Sequence, residues 1–222
     1  MNFPLCPRFQ AVLFDMDGTL LDTLSDMQDA VNHILLENGW PQRTLEEIRA
    51  FVGNGAAKLM ERAIPEPIAP QRFQEILSAY KDWYQAHNCV KTAPYPGIPE
   101  VLAELEKMGV KTAVVSNKPD ATTKALAEKF FPGMPALGQR DGVDPKPSPA
   151  LVAQALSDLG VRPENAVYVG DSEVDVEMAH RAGLPLAAVA WGFRGRALLE
   201  QAGARCIADT CLLYKSDAAD DL

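Results

Sequence analysis

The amino-acid sequence predicts an α/β fold, a doubly wound parallel sheet with an all-helical block inserted near its beginning. Three features carry the prediction. Short apolar runs alternate with amphipathic stretches through residues 92–222, the pattern of strands covered by helices on both faces. The first apolar run, Ala11-Val12-Leu13-Phe14, ends directly in the acidic segment Asp15-Met16-Asp17-Gly18-Thr19. Residues 23–91 interrupt the alternation with four helical patterns and no convincing strand. The expected division is a sheet core of residues 1–22 and 92–222 and a helical unit of residues 23–91.

Taken in order, residues 11–14 form the first strand. Side chains two apart on a strand share a face, so Asp15 and Asp17 converge on one ligand while Met16 points away. Gly18 turns the chain without a Cβ, and Thr19 adds a hydroxyl beside the acids, an arrangement suited to a phosphate held on backbone N–H groups. The inserted helices are expected at 24–38, 44–52, 56–63 and 71–87. Lys91-Thr92-Ala93-Pro94-Tyr95-Pro96-Gly97 closes the insert as a hinge or linker. Strands at 111–115, 166–169, 186–189 and, weakly, 205–207 then alternate with helices at 98–108, 121–130, 149–159, 173–182 and 196–202. Gly109, Gly160, Gly183 and Gly203 sit just past four of these helices, where a left-handed C-terminal cap favours glycine. Ligands of such sheets bind beyond the carboxyl ends of the strands, where Asp15, Ser116 and Asp171 all fall. Leu212 to Leu222 has no clear pattern beyond its first residues and is expected to fray.

Length and charge narrow the function. A chain of 222 residues buries a core and still carries a second small domain. The net charge of −9 and the lack of any Lys/Arg run argue against nucleic acid and against an anionic membrane surface. An acidic protein that handles an anionic phosphate needs local neutralisation, which a divalent cation at the acid cluster supplies. Cys6, Cys89, Cys206 and Cys211 show no CxxC pair and no metal-ligand spacing, so they read as reduced thiols of a cytosolic protein. The first eight residues lack a signal peptide's apolar core, and no later window holds the ~18 uninterrupted apolar residues of a membrane span. The cytoplasm is the expected location.

The segment DMDGTLLDT, residues 15–23, resembles the first signature of the haloacid dehalogenase superfamily, whose members mostly move phosphoryl groups through an aspartate nucleophile. Later signatures of that family have counterparts in order: Val114-Val115-Ser116-Asn117-Lys118, then Asp144-Pro145-Lys146-Pro147, then Val169-Gly170-Asp171-Ser172-Glu173-Val174-Asp175. The resemblance spans nearly the whole chain. It implies a Rossmann-like catalytic core and a helical cap, inserted at residues 23–91, that closes over the site and reads the leaving group. It also implies that Asp15 attacks phosphorus to form an aspartyl-phosphate and that Asp17 serves as acid and then base. Mg²⁺ is the implied cofactor, with Asp15, the Asp17 carbonyl, Asp171 and the phosphate as its shell. Asp175 is expected to support them by orienting a metal-bound water or Lys146.

Lys146, between two prolines, presents an ammonium to the developing charge. Ser116 and Asn117, after an apolar strand, supply the donors that a transferring phosphoryl group needs, although either also suits a turn or a helix cap. Lys118 fits a solvated position equally well and stays outside the catalytic set. Within the cap, Gly53-Asn54-Gly55 between two helices makes an anion nest, so Asn54 and Gly55 are expected to meet the non-phosphate end of the substrate; the competing reading is a plain helix connection. Arg49, Lys58 and Arg62 are possible helpers. His33, His87 and His180 have no partner acid at catalytic spacing and read as structural or exposed. Trp40, Trp83 and Trp191 read as packing residues, with Trp191-Gly192-Phe193-Arg194-Gly195 near the pocket.

Within the family, Asp17 separates this chain from dehalogenases and phosphonate hydrolases, which lack the second acid. A Lys-Thr-Gly-Thr continuation and membrane helices, the marks of transport ATPases, are missing. The segments DTLSDM, VGNGA, PYPGI and WGFRG resemble the phosphoglycolate phosphatase subfamily. The expected activity is hydrolysis of a small phosphomonoester, with 2-phosphoglycolate favoured. Alternatives are hydrolysis of another phosphate ester or pyrophosphate, and a phosphosugar mutase of the β-phosphoglucomutase type. A non-catalytic phospho-accepting switch would need neither a cap nor Asp17. The expected partner is a small phosphorylated metabolite, bound by a monomer or weak homodimer.

Overall fold

A computed structural model describes residues 9–211; Cys6 and the segment 212–222 lie outside the described residues. Six parallel strands form the sheet: β1 (Ala11–Phe14), β4 (Lys111–Pro119), β5 (Ala136–Gln139), β6 (Ala166–Gly170), β7 (Leu186–Val189) and β8 (Ile207–Ala208), in the order β5-β4-β1-β6-β7-β8. β1 lies at the centre because both its faces are apolar. Val12 and Phe14 pack on one side with α5 (Ile98–Lys107) and α6 (Asp120–Phe130), while Ala11 and Leu13 pack on the other with α7 (Ala150–Leu159) and α8 (Glu173–Ala182). The strand order reverses at β1, so the carboxyl ends of β1, β4 and β6 border one crevice. α9 (Gly195–Gln201) follows β7.

Three differences from the sequence expectation concern the sheet. β5 was not anticipated, and β4 continues through Ser116, Asn117 and Lys118 to Pro119 instead of stopping at residue 115. The last strand falls at 207–208, not 205–207.

Four helices fill the stretch after β1: α1 (Leu24–Glu37), α2 (Leu45–Phe51), α3 (Ala56–Ala63) and α4 (Pro70–His87). They bury their own apolar cluster, in which Ile34, Leu35, Ile48, Met60, Ile76 and Tyr80 are nearly inaccessible. Thr44 caps α2: its hydroxyl accepts from Glu47 N at 3.2 Å, and the Glu47 carboxylate accepts from Thr44 N at 2.7 Å. The chain enters and leaves this bundle through a two-stranded antiparallel ribbon, β2 (Leu21–Asp22) on β3 (Ala93–Pro94). Just inside the ribbon, the buried Asp26 carboxylate gathers the returning chain. It accepts from Val90 N at 3.1 Å, Lys91 N at 2.9 Å, Thr92 N at 2.9 Å and Thr92 Oγ1 at 2.8 Å.

His33 stacks on Trp83, with ring centroids 4.9 Å apart, and Trp83 stacks on His87 at 4.0 Å. Their role is packing on the outside of the bundle. Among the described residues, no helix is long and apolar enough to cross a membrane.

Candidate active site

The crevice beyond β1, β4 and β6 is covered by the helical bundle and encloses a cavity of about 250 Å³. Asp15, Asp17, Ser116, Asn117, Lys118, Lys146 and Asp171 line it from the sheet side. Val52, Gly53, Gly55, Leu59, Tyr80 and Tyr84 line it from the bundle. Gly18, Thr19, Asn54 and Asp175 are not among the lining residues.

Asp15 stands at the carboxyl end of β1 with one oxygen committed. Oδ1 accepts from Met16 N at 2.7 Å and lies 2.9 Å from Lys146 Nζ; Oδ2 has no protein donor among the described residues. Burial pushes its pKa up to about 7, Lys146 pulls against that, and Asp175 and Asp17 add to it. Lys146 is held by Asp175 Oδ1 at 2.8 Å and by Tyr168 Oη at 3.0 Å. Burial acts against its ammonium, yet Asp15 and Asp175 keep the pKa well above that of an ordinary lysine. Asp175 in turn is fixed by the cap of α8, its Oδ2 accepting from Ser172 N at 3.1 Å and Ser172 Oγ at 2.6 Å.

Asp171 follows β6 and sits where three backbone segments converge. Phe193 N donates to its Oδ2 at 2.6 Å, and Thr19 Oγ1 to its Oδ1 at 3.4 Å. A Cβ on Gly18 or on Gly192 would collide with its carboxylate, so glycine at both positions is a condition of the packing. The Asp171 pKa rises well above the carboxylate range, from burial first and from Asp175 and Asp15 next.

Carboxylate oxygens of Asp15, Asp171 and Asp175 lie within 4.8 Å of one another, all buried. Three buried carboxylates face one ammonium, and burial opposes the ionisation of Asp15 and Asp171, a penalty that a divalent cation would relieve. An all-oxygen donor set of this kind suits a hard ion such as Mg²⁺.

Asp17 forms a second charged pair, apart from this cluster. Thr23 Oγ1 donates to its Oδ1 at 2.7 Å, and Lys118 Nζ lies 2.9 Å from each carboxylate oxygen. Lys118 is buried, not solvated as the sequence allowed. It also donates to Tyr84 Oη on α4 at 2.8 Å, so it joins the sheet to the bundle. The alternation that pairs Asp15 with Asp17, applied to Ser116 and Lys118, was the signal for it.

The remaining expected residues divide. The Asn117 side chain braces the loop of Lys146, its Oδ1 accepting from Lys146 N at 2.7 Å. Its Nδ2 donates to Lys146 O at 3.0 Å and to Gly53 O at 3.2 Å. Gly55 opens α3 against the sheet, where a Cβ would come within 2.8 Å of Gln139 Oε1 and 3.3 Å of Asn117 O. The Asn54 side chain turns to Arg62, accepting from its Nη2 at 2.9 Å. Trp191 Nε1 donates to Thr19 O at 3.1 Å, Phe193 packs into the bundle's apolar cluster, and Arg194 reaches the bundle's backbone.

Residues 12–189 match the family model described as haloacid dehalogenase-like hydrolase. The chain is 36% identical over 213 residues to a phosphoglycolate phosphatase of Pseudomonas savastanoi pv. phaseolicola, covering 89% of this chain and 76% of that one. It is 34% identical over 189 residues to the N-acetylmuramic acid 6-phosphate phosphatase of Pseudomonas aeruginosa, covering 84% of each. A crystal structure from Lactobacillus delbrueckii subsp. bulgaricus, provisionally named a phosphoglycolate phosphatase, superposes with a TM-score of 0.87. It is 34% identical and covers 96% of this chain and 98% of that one.

Proposed function

This chain belongs to the haloacid dehalogenase-like hydrolases and is a phosphatase, and from that premise we propose that it is a Mg²⁺-dependent phosphomonoesterase acting through an aspartyl-phosphate. The observation that carries the reading is Asp15: one oxygen is pinned by Lys146 and Met16 N, and the other is left open in a closed cleft.

Asp15 Oδ2 attacks phosphorus as the bond to the leaving oxygen breaks, and Asp17 gives that oxygen a proton. Water then attacks the phosphorus of the acyl phosphate and yields its proton to Asp17, the bond to Asp15 breaks, and inorganic phosphate departs. Lys146 holds the nucleophile and balances its charge, while the Ser116 hydroxyl and the Asn117 backbone offer donors to the phosphoryl oxygens. Asp15, the Asp17 carbonyl and Asp171 would hold Mg²⁺, which supplies neutralisation of the buried carboxylates and of the phosphoryl charge when bound. Asp175 acts through Lys146. The helical unit of residues 23–91 works as a cap that shuts the cleft to bulk water. The expected setting is the cytoplasm, with a small phosphorylated metabolite as substrate.

2-Phosphoglycolate is the first substrate to test, because the named relative in Pseudomonas savastanoi is a phosphoglycolate phosphatase. A second reading, a phosphorylated sugar, is favoured by the cavity of about 250 Å³, which a two-carbon acid leaves partly empty, and by the apolar wall of Leu59, Tyr80 and Tyr84. The experiment is phosphate release from 2-phosphoglycolate, phosphosugars, nucleotides and pyrophosphate, with and without Mg²⁺, and with Asp15→Asn as control. Mg²⁺-dependent release that vanishes in the variant supports the mechanism, and the strongest substrate chooses between the readings. No release from any compound refutes both.

A further inference from the structure

Two adjacent residues on the loop after β7 face opposite ways in function. Phe193 N is bonded to Asp171 Oδ2 at 2.6 Å, at the carboxylate cluster. The Arg194 side chain, 9% exposed, crosses to the helical bundle, where its guanidinium donates to Arg49 O at 2.7 Å and Val52 O at 2.6 Å. Those carbonyls belong to the last turn and C-cap of α2, which have no helical partner of their own. A cation there also meets the negative end of the helix. Glu173, at the start of α8, orients the guanidinium through Arg194 Nε at 2.8 Å. Arg194 Nη2 also lies 3.1 Å from where a Cβ on Gly53 would stand, so the bundle loop at residue 53 is seated directly against it. The loop between the two contacts has little slack: Gly192 is packed on Asp171 and on Gly18 O, and Trp191 is tied to Thr19 O at 3.1 Å.

A bundle that lifts away from the sheet must break the Arg194 bonds, and a displaced Arg194 drags on the neighbour that holds Asp171. We infer that Arg194 is a positioning residue that couples the seating of the cap to divalent-cation binding at Asp15 and Asp171. This inference rests on the proposed reading of those carboxylates as the metal site. Coupling of this kind is reciprocal: if a seated cap sharpens the cation site, a bound cation must hold the cap down by the same factor.

The test uses the whole chain, without substrate, and Mg²⁺ as the only probe. Mg²⁺ affinity is read from a thermal-shift titration and from tryptophan fluorescence, and hydrogen exchange is followed in peptides covering residues 45–56, with and without Mg²⁺. In the wild type, Mg²⁺ is expected to slow exchange in that segment. In Arg194→Met the Mg²⁺ midpoint is expected to rise roughly five- to tenfold, the lower range of measured couplings, and the Mg²⁺ effect on residues 45–56 to disappear. Arg194→Lys, which keeps one donor for the same carbonyls, is expected to recover part of both. A wild type that binds Mg²⁺ while exchange at 45–56 stays unchanged overturns the coupling and leaves the metal site standing, as does an Arg194→Met midpoint equal to wild type. A wild type with no Mg²⁺ response in either titration overturns the metal reading and the coupling with it.

Discussion

Replacing Asp15 by Asn is expected to make the metal-free protein more stable near neutral pH, by an amount that depends on pH in a specified way. The folded-state pKa of Asp15 lies at about 7 against an ordinary value of 3.8. The folded protein therefore holds a proton that the unfolded chain releases, and the associated stability is complete below about pH 4 and lost as the pH rises through 7. That displacement is equivalent to about 4 kcal/mol. Lys146 keeps Asp175 as a partner in the variant and stays charged throughout, so its contribution does not vary over this range. The assay is urea unfolding of both proteins in EDTA at half-unit steps from pH 4 to 8. The stability difference, variant minus wild type, is expected to widen by up to about 4 kcal/mol between pH 4 and 7 and then level off. Mg²⁺ at 100 times its dissociation constant is expected to return about 2.7 kcal/mol to the wild type and much less to Asp15→Asn. A difference that stays flat from pH 4 to 7 refutes the account of Asp15 as a carboxyl whose ionisation burial opposes.

Three further outcomes are expected. Lys118→Met removes the ammonium that fixes Asp17, so turnover of alkyl phosphates is expected to fall about 100-fold, in the range of a lost general acid. p-Nitrophenyl phosphate, whose leaving group needs no proton, is expected to lose far less, and equal losses on both would separate Lys118 from Asp17. Asp26→Ala strips the acceptor from the N–H groups of residues 90–92, of which Thr92 is buried, and is expected to cost about 3 kcal/mol, read by urea unfolding; a cost below about 0.5 kcal/mol would mean that water replaces it. Gly55→Val sets a branched side chain against Gln139 and Asn117 at a φ of +85°, so kcat/KM is expected to drop at least about tenfold; unchanged kinetics would remove this loop from the substrate's path.

The parallel strands were legible because each is an apolar run wherever the sheet is covered on both faces, as at 11–14 and 166–169. β5 escaped because Ala136-Leu137-Gly138-Gln139 is short, lacks β-branched residues and lies at the sheet edge. There Gly138 is chosen for its tight fit against Asp120 and Lys118 O, not for strand propensity. The ribbon β2–β3 is two residues deep and contains Pro94, too little for any periodicity. Asp15, Asp17 and Asp171 announce themselves by position after apolar runs. Lys118 and Arg194 do not, since what sets their placement is Tyr84, Arg49 and Val52, more than thirty residues away in sequence and supplied only by the folded bundle. Asp26 is the extreme case: its partners are residues 90–92, and nothing local distinguishes it from any acid in the first turn of a helix.

Because strands 21–22 and 93–94 are paired, and Asp26 binds the returning chain to α1, the bundle is joined to the sheet by one short double-stranded strip instead of two separate tethers. A body on two free tethers explores tilts, twists and slides, and gives all of them up on docking. A strip that bends about a single axis, as a door does on its frame, would return the proposed cap to the same seat each time and surrender the entropy of roughly one rotation. Precision at the cleft is thus set at the hinge, before any substrate arrives.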